Sequence, residues 1–279
     1  MEQQKICIIG GSLTGLVTAI SLSKLNCKID LITGDITKNL KSNRTVAISE
    51  NNLKFLSELN LSKSFKKKMW CCSVMKIYTE IKNKKISEIF ELNKEKNKEK
   101  ILYISENSKI MNLMMNKVRK IKSILVKDKK VVSSISTSGS LKKVKFDNES
   151  SLYNLVIVCT GNNSGLVKNI SDETIIKNSY NEFAITSILK HEFVKNSIAR
   201  QIFFKNEILA LLPISNSKTS IVWTVKNNLK GKNNSYLKNR LKFYIKNFYK
   251  KAKFVANLEY KDLNFIVRKK YYHDRILLF

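Results

Sequence analysis

The chain has 279 residues, enough for one large or two modest domains with an ample core. Its formal net charge is +30, nearly all from lysine, while glycine and proline number only 8 and 1. The basic residues are spread along the chain and no nucleic-acid-binding module is legible, so no nucleic acid is expected as a partner; a solvated basic surface is the plain reading and attraction to an anionic membrane the sharper one.

In chain order, residues 5–9 read as a strand, 15–25 as an amphipathic helix and 28–33 as a second strand. Between the first two lies Gly10-Gly11-Ser12-Leu13-Thr14-Gly15. Strand, glycine turn, helix, strand is the layout of a dinucleotide-binding unit, whose turn aims backbone N–H groups and a helix N-terminus at a pyrophosphate. Residues 34–45 read as a polar loop and 47–59 as a helix with Ser49 as a candidate cap. From Met69 the pattern turns to strands at 74–78 and 86–90, then an exposed loop over 92–100 and a short strand at 101–104. Ser108 to Lys120 reads as a helix, with Met111, Met114 and Met115 as core filler. Residues 123–136 and 141–147 suggest two strands of a meander, and 152–158 a buried strand ending in Cys159-Thr160-Gly161. Strands dominate 180–225, followed by a helix over 234–250 and strands at 264–268 and 271–279.

Five cysteines show no C-x-x-C spacing, and an odd count without a framework points to a reducing compartment. Two histidines are too few and too far apart for a convincing metal site. The first strand begins by Lys5, so no signal peptide is expected, and no apolar stretch reaches the ~18 residues needed to span a bilayer. A cytoplasmic location is expected, with peripheral contact to the cytoplasmic membrane left open.

Four segments carry a resemblance. They are Ile9 to Leu16; Asn43-Arg44-Thr45-Val46-Ala47-Ile48-Ser49 with the following helix; Tyr153 to Asn162; and a block comprising His191-Glu192, Ala199 to Phe203, Leu209 to Pro213 and Ser220 to Trp223. In this order the chain resembles the FAD-dependent aromatic hydroxylases of ubiquinone biosynthesis, the UbiH/UbiF type of the p-hydroxybenzoate-hydroxylase-like flavoprotein monooxygenases. The resemblance implies an α/β protein with a Rossmann-like FAD-binding domain (1–68, 97–170 and 271–279) and an inserted mixed β-sheet substrate domain (69–96 and 171–270). It implies FAD as cofactor, NAD(P)H as transient electron donor and a polyprenylated phenol as substrate. The ring would be hydroxylated through a flavin C4a-hydroperoxide. Other ubiquinone-synthesis proteins would be candidate partners.

On this resemblance, Gly10, Gly11, Ser12, Leu13, Thr14 and Gly15 would cradle the FAD pyrophosphate. Asp35 would accept from a ribose hydroxyl, Arg44 would meet a phosphate or line the flavin entrance, and Gly161 would approach the cofactor. No catalytic side chain or metal ligand is assigned. His191 reads as a structural histidine and Trp223 as core. The chain departs from the family at Ser12, which stands at the middle glycine of G-x-G-x-x-G, and at Thr33-Gly34, where an acidic residue is expected. The family's D-G pair is represented by Gly161-Asn162 or lost. The chain also stops at Phe279, where the family continues into a G-D-A-A-H segment beside the flavin. Two readings therefore stand: a truncated piece of an enzyme, or a degenerate, non-catalytic relative acting as a scaffold or binding subunit.

Overall fold

A computed structural model describes residues 3–61, 65–81, 85–97, 99–161, 165–168 and 175–279. The elements run β1 (Gln4–Ile9), α1 (Leu13–Leu22), β2 (Cys27–Ile32), α2 (Thr37–Leu40), β3 (Thr45–Ser49), α3 (Glu50–Glu58), β4 (Trp70–Cys72), β5 (Val74–Glu80), β6 (Ile86–Asn93) and β7 (Leu102–Glu106). Next come α4 (Asn107–Val118), β8 (Ile124–Lys127), β9 (Val132–Ser138), β10 (Leu141–Phe146), β11 (Glu149–Tyr153), β12 (Leu155–Val158), α5 (Gly165–Lys168) and β13 (Ile175–Lys190). The remainder is β14 (Ile198–Phe204), β15 (Glu207–Ser215), β16 (Lys218–Lys226), α6 (Asn234–Ile245), β17 (Lys253–Phe254), β18 (Glu259–Arg268), β19 (Tyr272–His273) and β20 (Ile276–Leu278).

The chain divides into two compact units. The first comprises residues 1–41, 109–178 and 265–279. Its main sheet has the order β19-β20-β12-β1-β2-β8, parallel from β20 to β8. Parallel strands are covered on both faces, which is why Ile6-Cys7-Ile8-Ile9 and Val156-Ile157-Val158 are apolar without alternation and buried throughout. Helix α1 presents Leu16, Ala19 and Ile20, a helical stripe, to the core. A meander of β9, β10 and β11 buries Val144, Phe146 and Tyr153 with Cys7, Ile9 and Ile32. The buried carboxylate of Asp30 in this layer is matched by the Tyr153 hydroxyl at 2.8 Å and by Lys127 and Lys5 at 3.2 and 3.5 Å. A buried charge is tolerated when it is so partnered.

The second unit comprises residues 42–108 and 179–264. Its large sheet follows the path β17-β13-β16-β15-β14-β5-β6, with β18 pairing β13. One face is sealed: Phe183, Ile185, Leu209, Leu211, Ile221, Trp223 and Val225 pack with Leu237, Leu241 and Ile245 of α6. Strand periodicity turns Ala184, Thr186, Ala210, Val222 and Thr224 to the other face. His191 is buried, its ring nitrogens 2.7 Å from the Glu192 carbonyl and 3.0 Å from the Thr219 hydroxyl, and it stacks on Tyr249. Both nitrogens are satisfied, so the residue is structural, and Trp223 is wholly buried.

Several expectations are corrected. Residues 42–68 and 97–108 fall in the second unit, because β7 bonds β3 and β4 and its Ile104 joins Cys72 and Ala199 in one buried cluster. The helix expected over 47–59 begins only at Glu50; Thr45–Ser49 is a strand paired with β7, and Ser49 caps α3 by accepting from the Asn52 amide at 3.3 Å. The loop over 34–45 contains α2. Residues 123–136 divide into β8 and β9 around Lys129, whose φ is +57°. The apolar run 152–158 divides at Asn154, whose side chain accepts from the Lys5 amide at 2.7 Å while its own amide donates to the Lys5 carbonyl at 2.8 Å. Helix α6 ends at Ile245, and 271–279 is two short strands joined through Asp274 and Arg275, both at positive φ.

Candidate functional site

The glycine turn sits at the C-terminal ends of β1, β2 and β12, the edge where open α/β sheets bind ligands. Gly10 has φ +122°, and a Cβ there would meet the Cys159 carbonyl oxygen at 2.5 Å. Its amide donates to Ile32 at 2.9 Å. A Cβ on Gly15 would lie 1.9 Å from the Gly10 carbonyl oxygen, so only glycine lets α1 sit this close to β1. Gly11 abuts Thr33 and Ile36, whose methyl groups a Cβ would meet at 2.9 and 2.7 Å. Leu13 is half-buried and Thr14 exposed, so the first turn of α1 opens outward.

Ser12 is the N-cap of α1, with φ −77° and ψ 173°, yet its side chain makes no capping bond. Its hydroxyl instead donates to the Cys159 carbonyl at 3.3 Å. The caps of α3 and α6 behave otherwise: Ser49 and Asn233 each accept from an amide of the first turn. The first-turn amides of a helix have no intrahelical acceptor, and here the cap residue leaves them to another acceptor. With the positive end of the helix dipole they suit an anion. The Ser12 hydroxyl is directed at the protein rather than at the open end of the helix.

Cys159 holds the turn from the other side: its amide donates to Ile9 at 2.7 Å and its carbonyl receives Ser12. Its thiol is buried, and burial pushes the pKa up to about 11. Gly161 follows at φ +74°, exposed and with open space where a Cβ would lie. Asn162 lies outside the described residues. Asp35 is exposed, and its Oδ1 accepts from the Thr37 amide at 2.9 Å and the Thr37 hydroxyl at 2.6 Å, closing a side-chain turn at the entry to α2. Thr33, standing where an acid is expected, is wholly buried. The turn therefore suits a diphosphate; the Asp30 carboxylate of β2 is buried and paired, and Thr33, which follows β2, offers none for the adjoining ribose.

Arg44 belongs to the second unit, whereas the other site residues expected from sequence belong to the first. Ser42 and Asn43 bind the two carboxylate oxygens of Glu259, and Arg44 Nε donates to the Ser42 hydroxyl at 3.1 Å. This fixes the Arg44 loop over a cavity of about 370 Å³ whose walls include Thr45, Ala184, Thr186, Val222, Tyr260 and Lys261. Thr186 is 8% exposed, and among the described residues its hydroxyl has no hydrogen-bond partner. A buried hydroxyl without a partner costs about 1–3 kcal/mol, which a ligand oxygen would relieve. Sequence reasoning missed Thr186, since a threonine inside a strand carries no local signal.

No family profile and no curated protein matches the sequence. Solved structures do. p-Nitrophenol 4-monooxygenase PnpA from Pseudomonas putida DLL-E4 superposes with a TM-score of 0.79 at 14% identity, over 100% of this chain and 72% of that one. CmlS, a flavin-dependent halogenase, gives 0.79 at 14%, over 100% and 53%. A Klebsiella pneumoniae HpxO variant complexed with FAD gives 0.76 at 13%, over 99% and 73%. The fold is thus shared with these proteins: α/β, a Rossmann-like domain with an inserted mixed β-sheet domain.

Proposed function

We propose that this chain serves FAD-dependent hydroxylation of an aromatic ring, with NAD(P)H as electron donor and a polyprenylated phenol of ubiquinone biosynthesis as substrate. The observation that carries the proposal is the glycine turn with the uncapped N-terminus of α1, in a fold shared with flavin-dependent oxygenases. When bound, FAD would supply the electron transfer and oxygen activation. Gly10 to Gly15 would hold the diphosphate through backbone amides rather than side chains. Arg44 would offer a guanidinium to an anionic oxygen. The half-covered sheet face, with its small side chains Ala184, Ala210 and Val222, leaves room for a ring, and the Thr186 hydroxyl gives that ring an orienting partner. The basic charge would draw the protein to an anionic membrane holding a greasy substrate.

The test is purification followed by flavin analysis and assay. A yellow protein that oxidises NAD(P)H faster with a phenol and places oxygen-18 from O₂ in the ring supports the proposal. Protein that takes up no FAD under any condition defeats it, and FAD binding without ring oxygenation leaves only the cofactor half. Preference for prenylated over simple phenols decides the finer substrate assignment.

A further inference from the structure

The missing acid of β2 has a replacement one strand away. Strands β2 and β8 pair in parallel up to Ile32 opposite Lys127, so Thr33 and Asp128 emerge together at the C-terminal edge of the sheet. The Thr33 hydroxyl donates to Asp128 Oδ1 at 2.9 Å. The other face of Thr33 is its methyl group, the atom that a Cβ on Gly11 would meet. Glycine turn, Thr33 and the Asp128 carboxylate are therefore successive neighbours along one sheet edge. Oδ1 also accepts from the Lys129 amide at 3.0 Å. Among the described residues Oδ2 faces only Arg119, 3.9 Å away and about half exposed, beyond hydrogen-bond distance. Asp35, the alternative acid, spends Oδ1 on the Thr37 amide and hydroxyl in the turn before α2.

We infer that Asp128, held by Thr33, is the carboxylate that binds the ribose diol of the adenosine half of the cofactor, the task a strand-2 acid performs in dinucleotide-binding folds. This rests on the reading of the turn as a diphosphate cradle. Oδ2 accepts from a ribose hydroxyl, and Thr33 fixes the rotamer from below. Thr33 is thus a positioning residue, and its replacement of an acid on β2 is what lets an acid on β8 reach the same edge.

The probes are ADP and 2′-deoxy-ADP, titrated calorimetrically into the whole chain and its variants, with thermal melts as a check on folding. The unmodified protein is expected to prefer ADP. Asp128→Asn is expected to weaken ADP about tenfold or more and to shrink its advantage over the deoxy ligand, because a hydrogen bond to a charged acceptor is lost. Asp128→Ser, which removes the carboxylate altogether, should behave alike and serves if the first variant does not fold. Thr33→Val should give a smaller loss, and Asp35→Asn should stay within about twofold. An unchanged preference in both Asp128 variants, or its loss in Asp35→Asn, overturns the assignment while leaving the diphosphate cradle intact. No ADP binding by the unmodified chain overturns the cradle and this assignment together.

Discussion

Replacing Gly15 by alanine isolates the geometry on which the candidate site depends. The new methyl group would sit 1.9 Å from the Gly10 carbonyl oxygen, itself backbone, with the Cys159 side chain 3.5 Å away. No rotamer relieves a backbone clash, so α1 must withdraw by about 1 Å, an overpacking event of the kind that costs ~1–3 kcal/mol or more. Alanine gains up to ~1 kcal/mol in helix propensity, which offsets part of this. A net loss of about 1–2 kcal/mol is expected. Gly34→Ala is the control: nothing lies within 4 Å of a Cβ there, and the change should be neutral or slightly stabilising. Chemical denaturation of both variants measures the difference, and ADP titration of the folded Gly15→Ala protein should show weaker binding because the first-turn amides have moved. Wild-type stability in Gly15→Ala, or an equal loss in Gly34→Ala, would refute the close packing described for the turn.

Ser12→Asp should separate stability from binding: aspartate is a good N-cap and complements the helix dipole, which offsets the lost bond to the Cys159 carbonyl, so the melting temperature should change little while ADP affinity falls about tenfold or more. A variant that binds ADP normally would remove α1 from the site. Thr186→Val should be neutral or stabilising by up to ~1 kcal/mol, because it deletes an unpartnered buried hydroxyl, yet should weaken phenol binding; a clear loss of stability would reveal an internal partner. Alkylation of the native protein should begin at half-exposed Cys71, since burial pushes the thiols of Cys72 and Cys159 up to about 12 and about 11 and raises that of Cys7 further. Thiolate populations rise only as pH approaches those values, so labelling of Cys72 or Cys159 at pH 8, read by peptide mass spectrometry, would contradict their burial. Asp274 is hydrogen-bonded by buried Lys142, which holds its carboxyl below the usual range. Its contribution is therefore present above the unfolded pKa near ~4 and lost as pH falls through the folded value. Asp274→Asn should flatten the acid limb of a stability–pH profile, and an unchanged limb would exclude this pair.

The opening βαβ unit was readable because every local signal agreed: continuous apolar strands, a glycine turn that steric contact requires, and a helix with Leu16, Ala19 and Ile20 in register. Ser49 is readable as a cap for the same reason, although the residues before it form a strand and not the start of the helix. Thr45 to Ile48 fit either period, and only pairing with β7, more than fifty residues on, makes them a strand. The break at Asn154 left no mark because apolar residues flank it on both sides; a side-chain bond to Lys5, across 149 positions, makes it. Asp128 was invisible on similar grounds, since nothing around residue 128 announces that Thr33 waits 95 positions away. Resemblance named Arg44, but the wall it shares with Thr186 exists only once β13 and β16 are paired.

The Cys159 carbonyl carries a thermodynamic obligation. It receives the Ser12 hydroxyl at the end of β12, and β12 is in turn the strand that seats β20 through Val156 opposite Ile276. Whatever orders the Ser12 turn also orders the strand behind it, and by reciprocity a frayed β20 loosens the turn. An anion captured near residue 12 would thus be felt at Leu277 as slower amide exchange, with ligand affinity and C-terminal order drawn from one shared reserve of free energy.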